Sequence, residues 1–305
     1  MNDASRPPDP PPPDPPPHDP PPHDGVYAAS VGRWTTNGTL ARVHYRREVP
    51  STQLWANEVI DASTDRFPQL FLTDIQTAGV GRRGKRWYSD ASQLAMTLVI
   101  ASPDSVAHGN ARRVGLVSIA VAAHVAAAIE TVTPNKVGLK WPNDVYLSNA
   151  GSWRKVGGIL VQRPSTLPPA PLLIGIGINT GQPPNEPTLP AAPTDPDAPT
   201  DPDEAPAAGL NLSSGDREKL LGQLVESLVN PHFGREASLA ESLDRFRSRC
   251  ILQGQRISLR EGDSDRLQTV FCTGVRSDGS LGIRCDAGRE RNLHSGEVNR
   301  LRPTS

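Results

Sequence analysis

The chain has 305 residues, with 32 Lys and Arg against 33 Asp and Glu, a formal net charge of -1, 32 Pro, 26 Gly and 3 Cys. That balance argues against a protein that coats nucleic acid or anionic membrane, and three cysteines without a CxxC pair exclude a disulfide framework and fit a reducing, cytoplasmic setting. No apolar stretch reaches 18 residues, so no transmembrane helix is expected; no basic-then-apolar leader opens the chain, and the seven His form no HExxH cluster for a transition metal.

Proline is crowded into two places, 12 in residues 1–24 and 9 in residues 181–208. The first is a Pro/Asp/His repeat with nothing apolar to bury, which favours solvated polyproline II. The second is an acidic insertion, TDPDAP followed by TDPDEAP, expected to be structureless. Globular texture begins near residue 43. Ser51-Thr52 is a plausible N-cap for a helix over 51–61, with Leu54, Trp55, Val59 and Ile60 on one face. Runs 70–75 and 94–100 predict strands, separated by the glycine-rich basic stretch GVGRRGKRW at 79–87. Residues 111–130 predict a buried alanine-rich helix. Residues 137–141, 155–162 and 172–178 predict strands, the last with alternating glycines that let a ligand or a neighbouring chain approach closely. Helical periodicity returns over 214–229 and 235–249, and from about 253 five short strands between tight turns predict a small barrel. The expected layout is a tail and lead-in at 1–42, an α+β domain at 43–249 interrupted by 181–208, and a β domain at 250–305.

Four stretches carry chemistry. In GVGRRGKRW the glycines free a loop to close over a ligand, and the arginines offer planar forks to carboxylate or phosphate. It lacks a P-loop ending, and the strand that follows it rules out a dinucleotide fingerprint. In LKWPNDVYL (139–147) a turn holds Asn143 and Asp144 between Lys140, Trp141 and the next strand. Either the turn only folds around a packed Trp141, or Asp144 and Asn143 hold Mg²⁺ or polarise a nucleophile. Lys155 enters a strand before Val156-Gly157-Gly158 and either snorkels to solvent or points its ammonium into a pocket. Asn179 closes the glycine-alternating strand at the strand-end position where sites gather.

Together, in order and spacing, these stretches resemble the biotin protein ligases (biotin–[acetyl-CoA-carboxylase] ligases), over nearly everything between residues 48 and 302. Ser51-Thr52-Gln53 looks like that family's helix entry, and Gln76 to Gly84 with Trp87 is similar to its Q-x-A-G-R-G-R-x-G loop and tryptophan. KWPND is intact at 140–144, and Gly296-Glu297-Val298 matches its SH3-like C-terminal domain. Val80 stands where the family usually has its first loop arginine. The resemblance implies a mixed-sheet, class II synthetase-like catalytic domain with an SH3-like β-barrel. It implies ATP-dependent formation of biotinyl-5′-AMP, with Mg²⁺, and transfer of biotin to a lysine of a biotin carboxyl carrier domain of acetyl-CoA or another acyl-CoA carboxylase. It implies catalytic roles for Lys155, Arg82, Asp144 and Lys140, and biotin contacts from Ser51, Thr52, Gln53, Gln76, Val80, Gly81, Arg82 and Lys155. Trp87, Arg83, Asn143 and Asn179 would hold the adenylate. A monomer or weak homodimer that binds neither DNA nor membrane is expected. A lipoate or octanoyl transferase sharing the fold is the alternative. A biotin-responsive repressor would need a DNA-binding module that residues 1–42 are too poor in apolar periodicity to form, and a non-catalytic biotin-binding module would not need the four charged residues.

Overall fold

The computed structural model describes residues 27–61, 65–87, 89–103, 111–149, 152–164, 170–182, 207–260, 268–294 and 297–300. The Pro-rich tail, residues 183–206 of the insertion, Gly296 and the side chain of Arg83 lie outside the described residues. A seven-stranded mixed sheet is built from β1 (Arg42–Val49), β2 (Gln69–Gln76), β5 (Leu94–Ile100), β9 (Leu172–Ile178), β8 (Ser152–Gln162), β7 (Asp144–Asn149) and β6 (Val137–Lys140), in that order across the sheet. β1 and β2 run parallel and every other neighbouring pair antiparallel. A two-stranded hairpin, β3 (Gly79–Val80) and β4 (Arg86–Trp87), stands apart from it.

The two faces of the sheet differ, and alternation along the strands assigns each residue to one of them. One face carries Leu70, Leu72, Met96, Leu98, Ile176 and Val145, and packs into the large core with α3 (Ala111–Glu130), α4 (Ser214–Leu228) and α5 (Glu236–Arg249). By length and composition the window Arg113–Glu130, with mean hydropathy 1.6, could cross a membrane, which corrects the expectation that no segment qualifies. Ser118 and His124 break any unbroken apolar run but leave the average high, and 61% of the window is buried inside the protein, as a core helix is.

The opposite face is apolar where α2 (Thr52–Val59) lies across β2, β5 and the Leu173 end of β9. Trp55 and Ala56 of α2, with Ile60 just beyond its end, cover Phe71, Val99 and Leu173. His44 stacks on Phe71 at 4.1 Å, and Trp55 meets the same ring edge-on at 5.0 Å. Further along β9 and across β8 and β7 this face carries Gly175, Gly177, Gly158, Asp144 and Lys155.

No element is expected before residue 43 from sequence, yet α1 (Ala28–Thr36) is part of the fold. Val31 and Trp34 are buried in the large core, and Ser30 is fastened to α4 by its N–H and hydroxyl donating to Glu218 at 2.9 and 3.0 Å. Helix α5 ends at Arg249. Beyond it β10 (Arg256–Arg260), β11 (Gln268–Val275), β12 (Leu281–Arg284), β13 (Glu290–Leu293) and β14 (Glu297–Arg300) form an antiparallel sheet in the order β13-β12-β11-β10-β14. This sheet is continuous with the same core through Ile257, Leu281 and Ile283.

His124 on α3 packs against Phe233 at 5.5 Å, facing Arg245 and Glu241 of α5. Burial, reinforced by the Arg245 guanidinium, pushes its pKa below the usual imidazole value, against a weaker pull from Glu241. A depressed native pKa means that the unfolded chain takes up the proton first, so stability is complete above about pH 6.5 and declines as pH falls through that value. Urea midpoints measured from pH 7.5 to 5 should fall in wild type and change less in His124→Gln; equal slopes would show that His124 contributes nothing to acid sensitivity.

Candidate active site

Lys155 reaches the site because of one extra residue. Asp144 pairs with Gly158 and Val145 with Gly157, but the next step pairs Tyr146 with Lys155, leaving Val156 without an opposite number. Two residues of β8 thus oppose one step of β7, a β-bulge. Val145 and Val156 both point into the large core, fully buried. Regular alternation would send Lys155 to that side with Gly157 and Ile159. The bulge turns it to the other face, beside Asp144 and Gly158, where Lys155 Nζ meets Asp144 Oδ1 at 3.0 Å with both side chains about a quarter exposed or less.

The KWPND turn supplies the neighbours. Trp141 is 2% exposed and its indole N–H donates to Gly279 O at 2.9 Å, pinning the turn to the C-terminal sheet. Gly279 has φ +81°, a conformation that favours glycine, and a Cβ there would crowd Ile119 of α3 at 3.2 Å. In the same turn the Ser280 hydroxyl donates to Asp278 and holds its carboxyl below the usual range. Asn143 O accepts the Ile159 N–H of β8 at 3.0 Å, and Asn143 Nδ2 donates to Ile159 O at 2.9 Å. That leaves Asn143 Oδ1 facing the glycine loop, where Arg82 Nη1 donates to it at 3.0 Å. Arg82 and Lys155 therefore converge on consecutive residues, Asn143 and Asp144. Lys140, paired with Asp144 across the strands, has its ammonium 5.8 Å from the Tyr146 ring.

The basic loop is a tight hairpin, β3 and β4 joined through a single 3-10 turn, Arg82–Gly84, with Gly81 N–H donating to Lys85 O at 2.7 Å. It lays Trp87 on the glycine strip: a Cβ on Gly177 would sit 2.5 Å from the indole, and one on Gly158 3.4 Å from it. Val80 is 38% exposed. Trp87 Nε1 is buried with no hydrogen-bond partner, which costs about 1–3 kcal/mol and leaves a donor on hand.

At the far end of the strip, Ser51 stands at the N-cap of α2 but its side chain makes no capping bond. Gln76 caps the helix from the neighbouring strand instead, its Oε1 accepting the Thr52 N–H at 2.8 Å. Gln53 lies over Gly175, where a Cβ would come within 2.5 Å of its amide oxygen. Gln53 and Thr52 both bond Thr97, a residue that sequence reasoning missed; its one signal is a lone hydroxyl in the apolar strand LAMTLVI. Asn179, expected beside the adenylate, is 4% exposed and donates to Ala208 O at 3.1 Å, closing the return from the insertion.

The structure thus brings Ser51, Thr52, Gln53, Gln76, Trp87, Asn143, Asp144, Lys155 and Arg82 to one face of the sheet. Hydrogen-bonding groups stand at one end, a glycine floor beneath an aromatic ring in the middle, and cations at the other. Such a strip suits an elongated ligand with a polar ring and an anionic tail. Among the described residues no group of three or more His, Cys, Asp or Glu gathers to hold a metal. Two clefts of about 880 and 790 Å³ lie elsewhere, around Phe233 between the helices, and none of these residues lines them. If the glycines hold Trp87 in place, Gly177→Ala should displace the indole and remove the Trp87 contribution to the near-UV circular dichroism, as Trp87→Phe does. A Gly177→Ala spectrum like that of wild type would contradict this packing.

Residues 45–179 match the model of the Biotin/lipoate A/B protein ligase family. The chain is 35% identical over 109 residues to the bifunctional ligase/repressor BirA of Escherichia coli, covering 35% of this chain and 32% of that protein. It is 36% identical over 107 residues to the biotin–[acetyl-CoA-carboxylase] ligase of Paracoccus denitrificans, covering 34% and 41%. These matches span about a third to two fifths of the length of the curated relatives. In structure it resembles the biotin protein ligase from Aquifex aeolicus in complex with biotin and ATP, with a TM-score of 0.62 over 86% of this chain and all of that one at 22% identity, a likeness of fold. The glycine loop, the KWPND turn and the sheet from Tyr45 onward fall in the stretch that is similar to the biotin/lipoate A/B protein ligase family.

Proposed function

We propose that this protein is a biotin–protein ligase that activates biotin with ATP and transfers it to a lysine of a carrier domain. The observation that carries the reading is the convergence of Arg82 and Lys155 on Asn143-Asp144, at the end of a glycine strip that begins at Thr52 and Gln76. In the first half-reaction a biotin carboxylate oxygen bonds to the α-phosphorus of ATP as the bond to the β-phosphate oxygen breaks and pyrophosphate leaves. Two anions meet there, so cations must stand at the meeting point. Lys155 takes the oxygens shared by carboxylate and α-phosphate, and Arg82 the flank under the loop. Mg²⁺ bound with the nucleotide would offset phosphate charge, and Asp144 and Asn143 are the side-chain oxygens of this chain that would hold it.

In the second half-reaction the carrier lysine's amine attacks the acyl carbon, the bond to the AMP oxygen breaks, and the amine gives up a proton. Asp144, released from Lys155 once that ammonium turns to the adenylate, stands as the acceptor. The hairpin at 79–87 shields the mixed anhydride from water between the two steps, with the Arg82–Asn143 bond as its latch. Names of relatives such as the Paracoccus denitrificans biotin–[acetyl-CoA-carboxylase] ligase support a biotin carboxyl carrier domain as the acceptor.

The test is pyrophosphate release with biotin and ATP. Wild type should turn over only with both present, and Lys155→Ala should lose about 100-fold or more, the scale of removing one transition-state donor. Undiminished release in Lys155→Ala would sink the assignment.

A further inference from the structure

Beneath the Thr52 end of the strip runs a chain of buried side chains whose protons can be placed one after another. Gln53 Nε2 faces Leu173 O at 3.3 Å, Leu160 O at 3.5 Å and Gln162 Oε1 at 3.1 Å. Main-chain carbonyls only accept, so the NH₂ group lies on that side and the amide oxygen points the other way. That oxygen lies 3.1 Å from Thr97 Oγ1 and must accept, so it takes the single hydroxyl proton of Thr97. Thr97 Oγ1 is also 2.9 Å from Thr52 Oγ1. With its proton committed to Gln53, Thr97 can only accept there, and Thr52 donates. The second neighbour of the Thr52 hydroxyl, Gln76 Oε1 at 3.2 Å, is an acceptor too, because that oxygen receives the Thr52 N–H. Both hydroxyl protons are thus turned inward. Thr52 presents lone pairs to a ligand, and Gln76, its oxygen already occupied, presents Nε2 as a donor.

We infer that Thr97 is a positioning residue that, through Gln53 and Thr52, makes this end of the site specific for a ring carrying an N–H beside a carbonyl, the edge of a cyclic urea or lactam. The N–H would donate to Thr52 Oγ1 and the carbonyl would accept from Gln76 Nε2. The inference rests on the biotin reading and adds the physical reason for its selectivity. A ring with no N–H, such as the dithiolane of lipoate, would leave the Thr52 oxygen without its donor in a buried setting, since Thr97, Thr52 and Gln53 are 0%, 3% and 4% exposed, and would leave the half-buried Gln76 amide without its acceptor.

The experiment uses the full chain. Calorimetric titration of wild type with biotin comes first, and no binding would overturn the biotin reading and this inference with it. Given binding, Thr97→Val, which keeps the shape and removes the middle hydroxyl, should raise the KM for biotin about tenfold while kcat and the KM for ATP stay within about twofold. Thr97→Ser, which keeps the hydroxyl, should stay within about threefold of wild type. Should Thr97→Val not fold, Thr97→Cys replaces it, a weak donor expected to raise the biotin KM by at least about threefold. The inference is overturned, with the biotin reading intact, if the Val or Cys variant leaves the biotin KM unchanged. The same holds if Thr97→Ser is as impaired as Thr97→Val, or if kcat and both KM values move together as general loosening would make them.

Discussion

The placement of one residue, Val156, opposite no partner in β7 is what the site depends on. A strand alternates strictly, so a lysine one step before a core-facing stretch has to face either core or solvent. Without the bulge Lys155 would follow Gly157 toward the large core, where an unpaired ammonium is expensive to bury. With it, Val156 fills the core and Lys155 crosses to the face where Asp144 meets it at 3.0 Å. The ion pair is partly solvated and contributes little to stability; what it does is hold a cation at the edge of the strip without ligand present.

The rest of the site follows from the sheet's asymmetry. One face is a continuous apolar layer under the helices, while the other changes character halfway across, from Phe71, Val99 and Leu173 under α2 to Gly175, Gly177 and Gly158 beneath Gln53 and Trp87. Three glycines on one face of two neighbouring strands weaken a sheet, and here they make room for an aromatic ring and an amide to lie on the backbone. The buried indole N–H of Trp87 has no partner, and the hairpin that carries it is tied back through Arg82 to the KWPND turn. That turn is anchored in its own right by Trp141 on Gly279, so loop, turn and C-terminal sheet bear on one another within a short span.

Much of this was legible in the sequence. Strands β2, β5, β6, β8 and β9 and the C-terminal strands declare themselves as short apolar runs rich in strand formers, and their ends fall within a few residues of expectation. The glycine loop and KWPND placed Arg82, Trp87, Asn143 and Asp144 together because residue type and order carry the information. Three features were hidden. Helix α1 follows a proline tract and contains Gly32 and two threonines, so local propensity speaks against it, and only Val31 and Trp34 meeting the core make it fold. The bulge is invisible because KVGGI reads as a regular strand, and the lone slip shows only once β7 lies beside it. Thr97 sits in an apolar run where a threonine passes for a strand former, and only the approach of Thr52 and Gln53 gives its hydroxyl a purpose.

The most direct test of the central claim is a crystal structure of the full chain with a non-hydrolysable biotinyl-adenylate analogue. The group that replaces the acyl phosphate should lie about 3 Å from Lys155 Nζ, with the ring beside Thr52 and the chain between them running over Gly175 and Gly177. An analogue bound in the clefts around Phe233, or lying on this face with Lys155 turned away and still held by Asp144, would contradict the account.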